Sequence, residues 1–119
     1  MNDCIFCAIA SGSIPSHTVY EDASYRAFLD IHPLNPGHVL VIPKEHYRWV
    51  WDVPDIGGYY AVVGKIANAL RKTLHTEWVV GIVVGEEVPH AHIWVFPHPD
   101  TPGDKNDFVG NAEKIKKNL

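Results

Sequence analysis

Apolar and polar positions along the chain change period several times, and each change marks an element. The first ten residues read as a short helix ending near Ser11-Gly12, after which Ile14-Pro15 leads into extended chain. "SHTVYEDASYRAFLDI" predicts two short strands, about Thr18–Tyr20 and Tyr25–Asp30, joined by the turn-forming Glu21-Asp22-Ala23-Ser24. "HPLNPG" (32–37) combines two prolines, an asparagine and a glycine, a loop composition. "HVLVIP" (38–43) follows as a β-branched strand stopped by Pro43.

Residues 44–55 carry aromatics and Pro54 and predict no regular element. From Ile56 to Leu74 the apolar positions Tyr60, Val63, Ile66, Ala67, Leu70 and Leu74 keep helical spacing, although Gly57, Gly58 and Gly64 weaken the pattern. "EWVVGIVVG" (77–85) and "HAHIWVF" (90–96) read as strands joined by Glu86-Glu87-Val88-Pro89, and about 107–118 as a terminal helix. Short strands with short links around one long helix predict an α+β fold: a single domain over 1–119, with a mainly antiparallel five-stranded sheet.

Bulk properties narrow the function classes. A chain of 119 residues buries a core without disulfides, and 46% hydrophobic with 20% charged residues is a globular balance. Net charge is −4 with no long run of one sign, which argues against a nucleic-acid or anionic-membrane surface. No apolar stretch approaches the roughly 18 residues of a membrane span. Asp3 and the absence of a basic leader argue against a signal peptide, so a cytoplasmic location is expected.

His90 and His92 stand two apart in an apolar run, so in a strand both point to one face, and His38 begins a neighbouring strand. A neutral imidazole attacks phosphorus and leaves again, provided its second nitrogen is held by an acceptor and donors meet the phosphoryl oxygens. Two sheet histidines with satisfied hydrogen bonds explain the same dipeptide pattern, and that alternative stays open on the residues alone.

The wider sequence resembles the histidine triad family. The resemblance runs from about Cys4 to Pro97, through the Pro36-Gly37-His38 loop end, "HVLVIPKEH", and "VPHAHIWVFP" in the place of the family's alternating-histidine signature. It implies a nucleotide-binding hydrolase or nucleotidyl transferase acting on a purine nucleotide, usually homodimeric. The nucleophile then falls on His92, and His38 sits behind it in a hydrogen-bond relay. The ribose-binding carboxylate falls on Asp30, followed by Ile31, and the apolar base pocket on Phe6, Ile9 and Phe28. Each of those three apolar residues is also explained as plain core. Asp30 is harder to explain that way, because a carboxylate between Leu29 and Ile31 needs a partner.

Cys4 and Cys7 form a C-x-x-C pair with three readings. A redox pair calls for a βαβ context that is missing here, two packed thiols need no function, and a zinc site needs two more ligands. Zinc-bearing relatives complete the pair with the histidine of "P-K-x-H" and the first histidine of the triad. The resemblance therefore implies a structural Zn2+ held by Cys4, Cys7, His46 and His90.

Two departures from the family pattern stand out. Trp94 replaces the third histidine; it has one N–H donor and no proton to exchange with a leaving group. The family's longer loop with a Gln-Ser pair, whose side chains donate to phosphate, is cut to Gly85-Glu86-Glu87-Val88-Pro89, leaving the backbone N–H of Glu87 or of the following residues as donors. These changes set up a rival, a nucleotide-binding protein with little turnover. A third reading, a zinc-stabilised interaction module, rests on Tyr47, Trp49 and Trp51. His98 or His32 is the candidate to supply a missing imidazole.

Overall fold

The structure is a computed structural model, and it describes residues 4–119. The N-terminal helix is described as α1 (Ile5–Ser11), and the first three residues of the expected helical stretch lie outside the described residues. β1 (Thr18–Glu21), β2 (Tyr25–Leu29) and β3 (Val39–Pro43) precede the long helix α2 (Ile56–Leu74). β4 (Val79–Val84), β5 (His92–Pro97) and α3 (Phe108–Lys117) complete the domain. The five strands form one antiparallel sheet in the order β1-β2-β3-β5-β4, so the expected fold class holds. No helix among the described residues is long and apolar enough to cross a membrane.

Both longer helices begin on the same device. Asp55 caps α2 by accepting from Gly58 N–H (3.1 Å), and Asp107 caps α3 by accepting from Gly110 N–H (3.0 Å). A methyl group on either glycine would overlap the capping carboxylate, which explains a residue that looks unhelical in the sequence. α2 ends at His75, whose left-handed backbone (φ 54°) returns its N–H to Arg71 O.

The buried stripe of α2 is offset from the expected one. Tyr59, Val62, Val63, Ile66, Ala69 and Leu70 are buried, whereas Tyr60 is 40% exposed and Ala67 only partly covered. Tyr59 sets this rotation. Its hydroxyl donates to Val41 O (2.7 Å) and its ring stacks on Tyr25 (5.2 Å), so the sheet takes Tyr59 and turns its neighbour outwards. Burial raises the Tyr59 pKa, which keeps that hydroxyl a donor.

β5 starts at His92 rather than at His90. The amide of His90 donates to Val88 O and that of Ala91 to Tyr47 O, so neither joins the β4 ladder, which opens with Val84 facing His92. The stretch 44–55 is irregular as expected, apart from one 3-10 turn at Val50–Asp52.

The two sheet faces carry separate cores. Val19, Ala27, Leu29, Val39, Val41, Ile93 and Val95 pack with α2 and Ile115 of α3. On the opposite face Phe28, Leu40 and Ile42 pack with Phe6 and Ile9 of α1, with Val88 and Trp94 at the margin. α1 is tied down there by Arg26, which donates to Ile9 O (2.5 Å) and pairs with Glu21 (2.8 Å).

Candidate functional site

On the α1 face the register aligns Phe28, Leu40, Trp94 and Ile82 in one row across four strands, with His92 one row away beside Val84. This face forms the floor of a cavity of about 630 Å³. Phe6, Ile9, Phe28, Asp30, Ile31, Glu87, His92 and Trp94 all line it, so one concavity gathers every candidate substrate-binding residue and the candidate nucleophile. Its wall is mainly apolar; among the described residues Asp30 and Glu87 are the only charged side chains on it, and no Lys or Arg takes part. Ile5, Ile14, Ser16 and His17 also line it and were not singled out from the sequence. The loop after Gly12, whose φ of 84° turns the chain out of α1, delivers the last three.

Hydrogen bonds fix the ring states of three histidines. Nδ1 of His92 lies 2.7 Å from His90 O, and a carbonyl only accepts, so Nδ1 carries the proton and Nε2 keeps a lone pair. His92 is nearly fully buried, with Phe6 edge-on at 5.1 Å. Nε2 of His90 lies 2.8 Å from Pro43 O, which likewise leaves the lone pair on Nδ1. Burial lowers the pKa of His90, so its neutral form is favoured.

His38 is completely buried, with its ring against Trp94 (5.0 Å) and Phe96 (5.2 Å). Its Nδ1 accepts from Leu34 N–H (3.1 Å), while Nε2 faces Asp30 Oδ2 at 3.7 Å without a hydrogen bond. Burial lowers its pKa, and the Asp30 carboxylate pulls weakly the other way. Asp30 also accepts from His32 N–H (2.9 Å), so its carboxylate bridges the loop after β2 and the buried imidazole. His32 reaches the cavity wall; His98 does not. The His98 ring sits 4.4 Å from Trp78 and lines a separate cavity.

Behind His92 lies a four-residue cluster. The ligand atoms of Cys4, Cys7, His46 and His90 all lie within 4.8 Å of one another. Cys4 Sγ is 3.3 Å from His90 Nδ1, and Cys7 Sγ is 3.2 Å from His46 Nδ1 and 3.4 Å from His90 Nδ1. Ligands at ordinary Zn–S and Zn–N lengths around a tetrahedron stand about 3.5 Å apart, so this donor set fits a metal ion. His90 has the tautomer a ligand needs, with its second nitrogen anchored on Pro43 O.

The aromatic stretch 47–54 divides. Tyr47 and Val50 pack into the helix-side core, and Trp49 lies over Gly85, whose lack of a side chain makes room for it. Arg48 covers the Trp49 ring at 3.8 Å, and Trp51 is the most exposed of the three aromatics (67%, against 42% for Trp49).

The HIT domain family model matches residues 11–101. A HIT-like protein of Bartonella henselae has a crystal structure that superposes with a TM-score of 0.89 at 32% identity, covering 100% of this chain and 98% of that one. A zinc-bound histidine triad family protein of Mycobacterium smegmatis superposes at 0.84 with 30% identity, covering 98% and 92%. The adenylylsulfatase HINT3 of Arabidopsis thaliana is 33% identical over 123 residues, 98% of this chain and 60% of that one.

Proposed function

The chain belongs to the HIT family, and from that premise we propose that it is a nucleotidyl hydrolase or transferase acting at the α-phosphorus of a purine nucleotide. The bond broken joins that phosphorus to nitrogen, sulfur or a second acid residue. The observation that carries this reading is the 2.7 Å hydrogen bond from His92 Nδ1 to His90 O, in a cavity that also holds Asp30 and an apolar end. Nε2 of His92 attacks the α-phosphorus, the leaving group departs, and water then releases the nucleotide from the nucleotidyl-histidine. Phe6, Ile9 and Phe28 hold the base, Asp30 accepts from the ribose hydroxyls with Ile31 beside it, and the Glu87 amide faces phosphate. His38 acts as a positioning residue, although neither of its ring nitrogens is bonded to His92: Nδ1 accepts from Leu34 N–H and Nε2 faces Asp30 at 3.7 Å.

Zn2+ on Cys4, Cys7, His46 and His90 is a structural cofactor on this reading, since four protein ligands leave no open position. When bound it cross-links the N-terminal segment, the chain after β3 and the start of β5. The ligand His90 is also the residue whose carbonyl orients His92. Two reduced cysteines suit a cytoplasmic location. A homodimer is expected through α2 and the edge strand β4, where Ile82 is 40% exposed.

Trp94 and the carboxylate of Glu87 favour one rival, a nucleotide-binding protein with little turnover. A panel of adenylyl donors decides between them: a phosphoramidate, a phosphosulfate and a dinucleoside polyphosphate. Turnover of any member that is lost in His92→Ala supports the enzyme. Nucleotide binding with no turnover across the panel supports the rival.

A further inference from the structure

Trp94 follows His92 on the cavity face of β5 and bears on which bond the site breaks. An indole N–H hydrogen-bonds an oxygen but hands no proton to a departing atom. The other imidazoles do not stand beside it on the cavity wall. His38 is fully buried behind Trp94, with one nitrogen taken by Leu34 N–H and the other turned to Asp30. His98 lies on Trp78 in a different cavity. His17 and His32 reach the wall by Asp30: His17 O accepts from Leu29 N–H with its ring stacked on Phe108, and His32 N–H is bonded to Asp30 itself. Phe6 lies edge-on to His92, and of the other described wall residues Val88 and Trp94 carry no acid, while the carboxylate oxygens of Glu87 are acceptors.

We infer that Trp94 makes this protein a selector of leaving groups: it cleaves α-phosphoryl bonds to a group that departs as a stable anion and spares bonds to an amine. The inference rests on the hydrolase reading above. In a mixed anhydride of a nucleotide with sulfate, Nε2 of His92 forms the new bond to phosphorus. The P–O bond breaks, and its electron pair leaves on the acid anion, which needs no proton. Water then attacks phosphorus, the pair of the P–N bond returns to Nε2, and the water proton passes to solvent. In a phosphoramidate the departing pair lands on nitrogen, and an amide anion is too basic to leave at neutral pH. That step needs a proton donor beside the nitrogen.

Two effects oppose each other, and their sizes decide. A positioned general acid contributes about 10²- to 10⁴-fold. Repulsion between an anionic leaving group and a solvent-exposed carboxylate such as Glu87 amounts to about tenfold or less. The missing acid wins, and the discrimination falls on kcat.

The test compares adenosine 5′-phosphosulfate with adenosine 5′-phosphoramidate on the full chain, its Trp94→His variant and the His92→Ala blank. The expected result is a wild-type kcat about 100-fold or more higher on the phosphosulfate, with Trp94→His narrowing that ratio at least about tenfold. If Trp94→His fails to fold, the wild type decides alone through adenylyl esters of graded phenols, whose rates must fall steeply as the phenol becomes less acidic. Equal wild-type turnover of both substrates, or a flat response to the phenols, overturns the selector and leaves the hydrolase standing. Phosphoramidate turnover that disappears in Glu87→Gln overturns it too, and names Glu87 as the acid. Binding of adenosine monophosphate with no turnover of either substrate or of the phenyl esters overturns the hydrolase reading itself.

Discussion

On β5, Ile93 and Val95 point into a core closed by α2 and α3, whereas His92, Trp94 and Phe96 point to the face that carries the seven-residue α1 and the loop after it. Both sets come from one strand and differ by a single residue step. The closed face is mainly aliphatic, and its buried tyrosines are paired, Tyr59 with Val41 O and Tyr25 with Asp55 O. The other face is aromatic and imidazole-rich, and α1 leaves room beside it for a cavity of about 630 Å³. The difference teaches where stability and chemistry reside. The helix-covered face determines that the sheet exists, and the α1 face uses that rigidity to hold rings in fixed tautomers.

The contrast breaks most severely on the closed side. Ile66 is fully buried at the centre of α2, and Ile66→Ala is expected to cost about 2–5 kcal/mol through lost burial and an unfilled cavity. Urea denaturation followed by circular dichroism checks this, with the change appearing in the midpoint.

On the α1 side the next largest effect is metal removal. Stripping a metal present at about 100 times its dissociation constant withdraws about 2.7 kcal/mol of stabilisation. Phe6 stands between the two cysteines in sequence and packs against both His90 (6.0 Å) and His92 (5.1 Å). Chelation is therefore expected to lower both the melting temperature and the affinity for adenosine monophosphate, measured by calorimetry, with restoration on adding Zn2+. An apoprotein with unchanged nucleotide affinity would separate the cluster from the cavity.

Asp30→Asn sharpens the role of the cavity's inner carboxylate. Loss of a charged acceptor is expected to cost about 1.5 kcal/mol, roughly tenfold in the Kd for adenosine monophosphate. The 2′,3′-dideoxy analogue is expected to bind both proteins alike. An equal loss for both nucleotides would assign Asp30 to supporting His38 rather than to ribose.

The smallest effect concerns His38. Its pKa is lowered from 6.5 by burial, so the folded chain binds fewer protons than the unfolded one. The stabilisation is complete above the unfolded-state pKa and is lost as pH falls below about 6.5. Asp30 is the titratable group facing it, while the β5 side offers only the rings of Trp94 and Phe96. The melting temperature of the wild type is expected to fall more between about pH 7.5 and about pH 5.5 than that of His38→Gln.

Much of this was legible in the residues. The span of α2 follows from its apolar spacing, and the β3 and β4 patterns from their β-branched runs. The cysteines, His46 and His90 converge in space as the family resemblance implied. What escaped the sequence depends on contacts between distant segments. The rotation of α2 is set by Tyr59 reaching Val41 O, which periodicity alone does not register. The start of β5 depends on Ala91 N–H going to Tyr47 O, a tertiary hydrogen bond. Ser16 and His17 line the cavity because Gly12 turns the chain back over the sheet, and neither carries a local motif.

The central claim is that His92 Nε2 bonds covalently to the α-phosphorus, and acid-free rapid quenching followed by peptide mass spectrometry tests it most directly. After milliseconds with labelled adenosine 5′-phosphosulfate, the peptide carrying His92 is predicted to gain one adenylyl group, released again on longer incubation. Turnover with label found on another residue, or with no labelled peptide at any time, would contradict it.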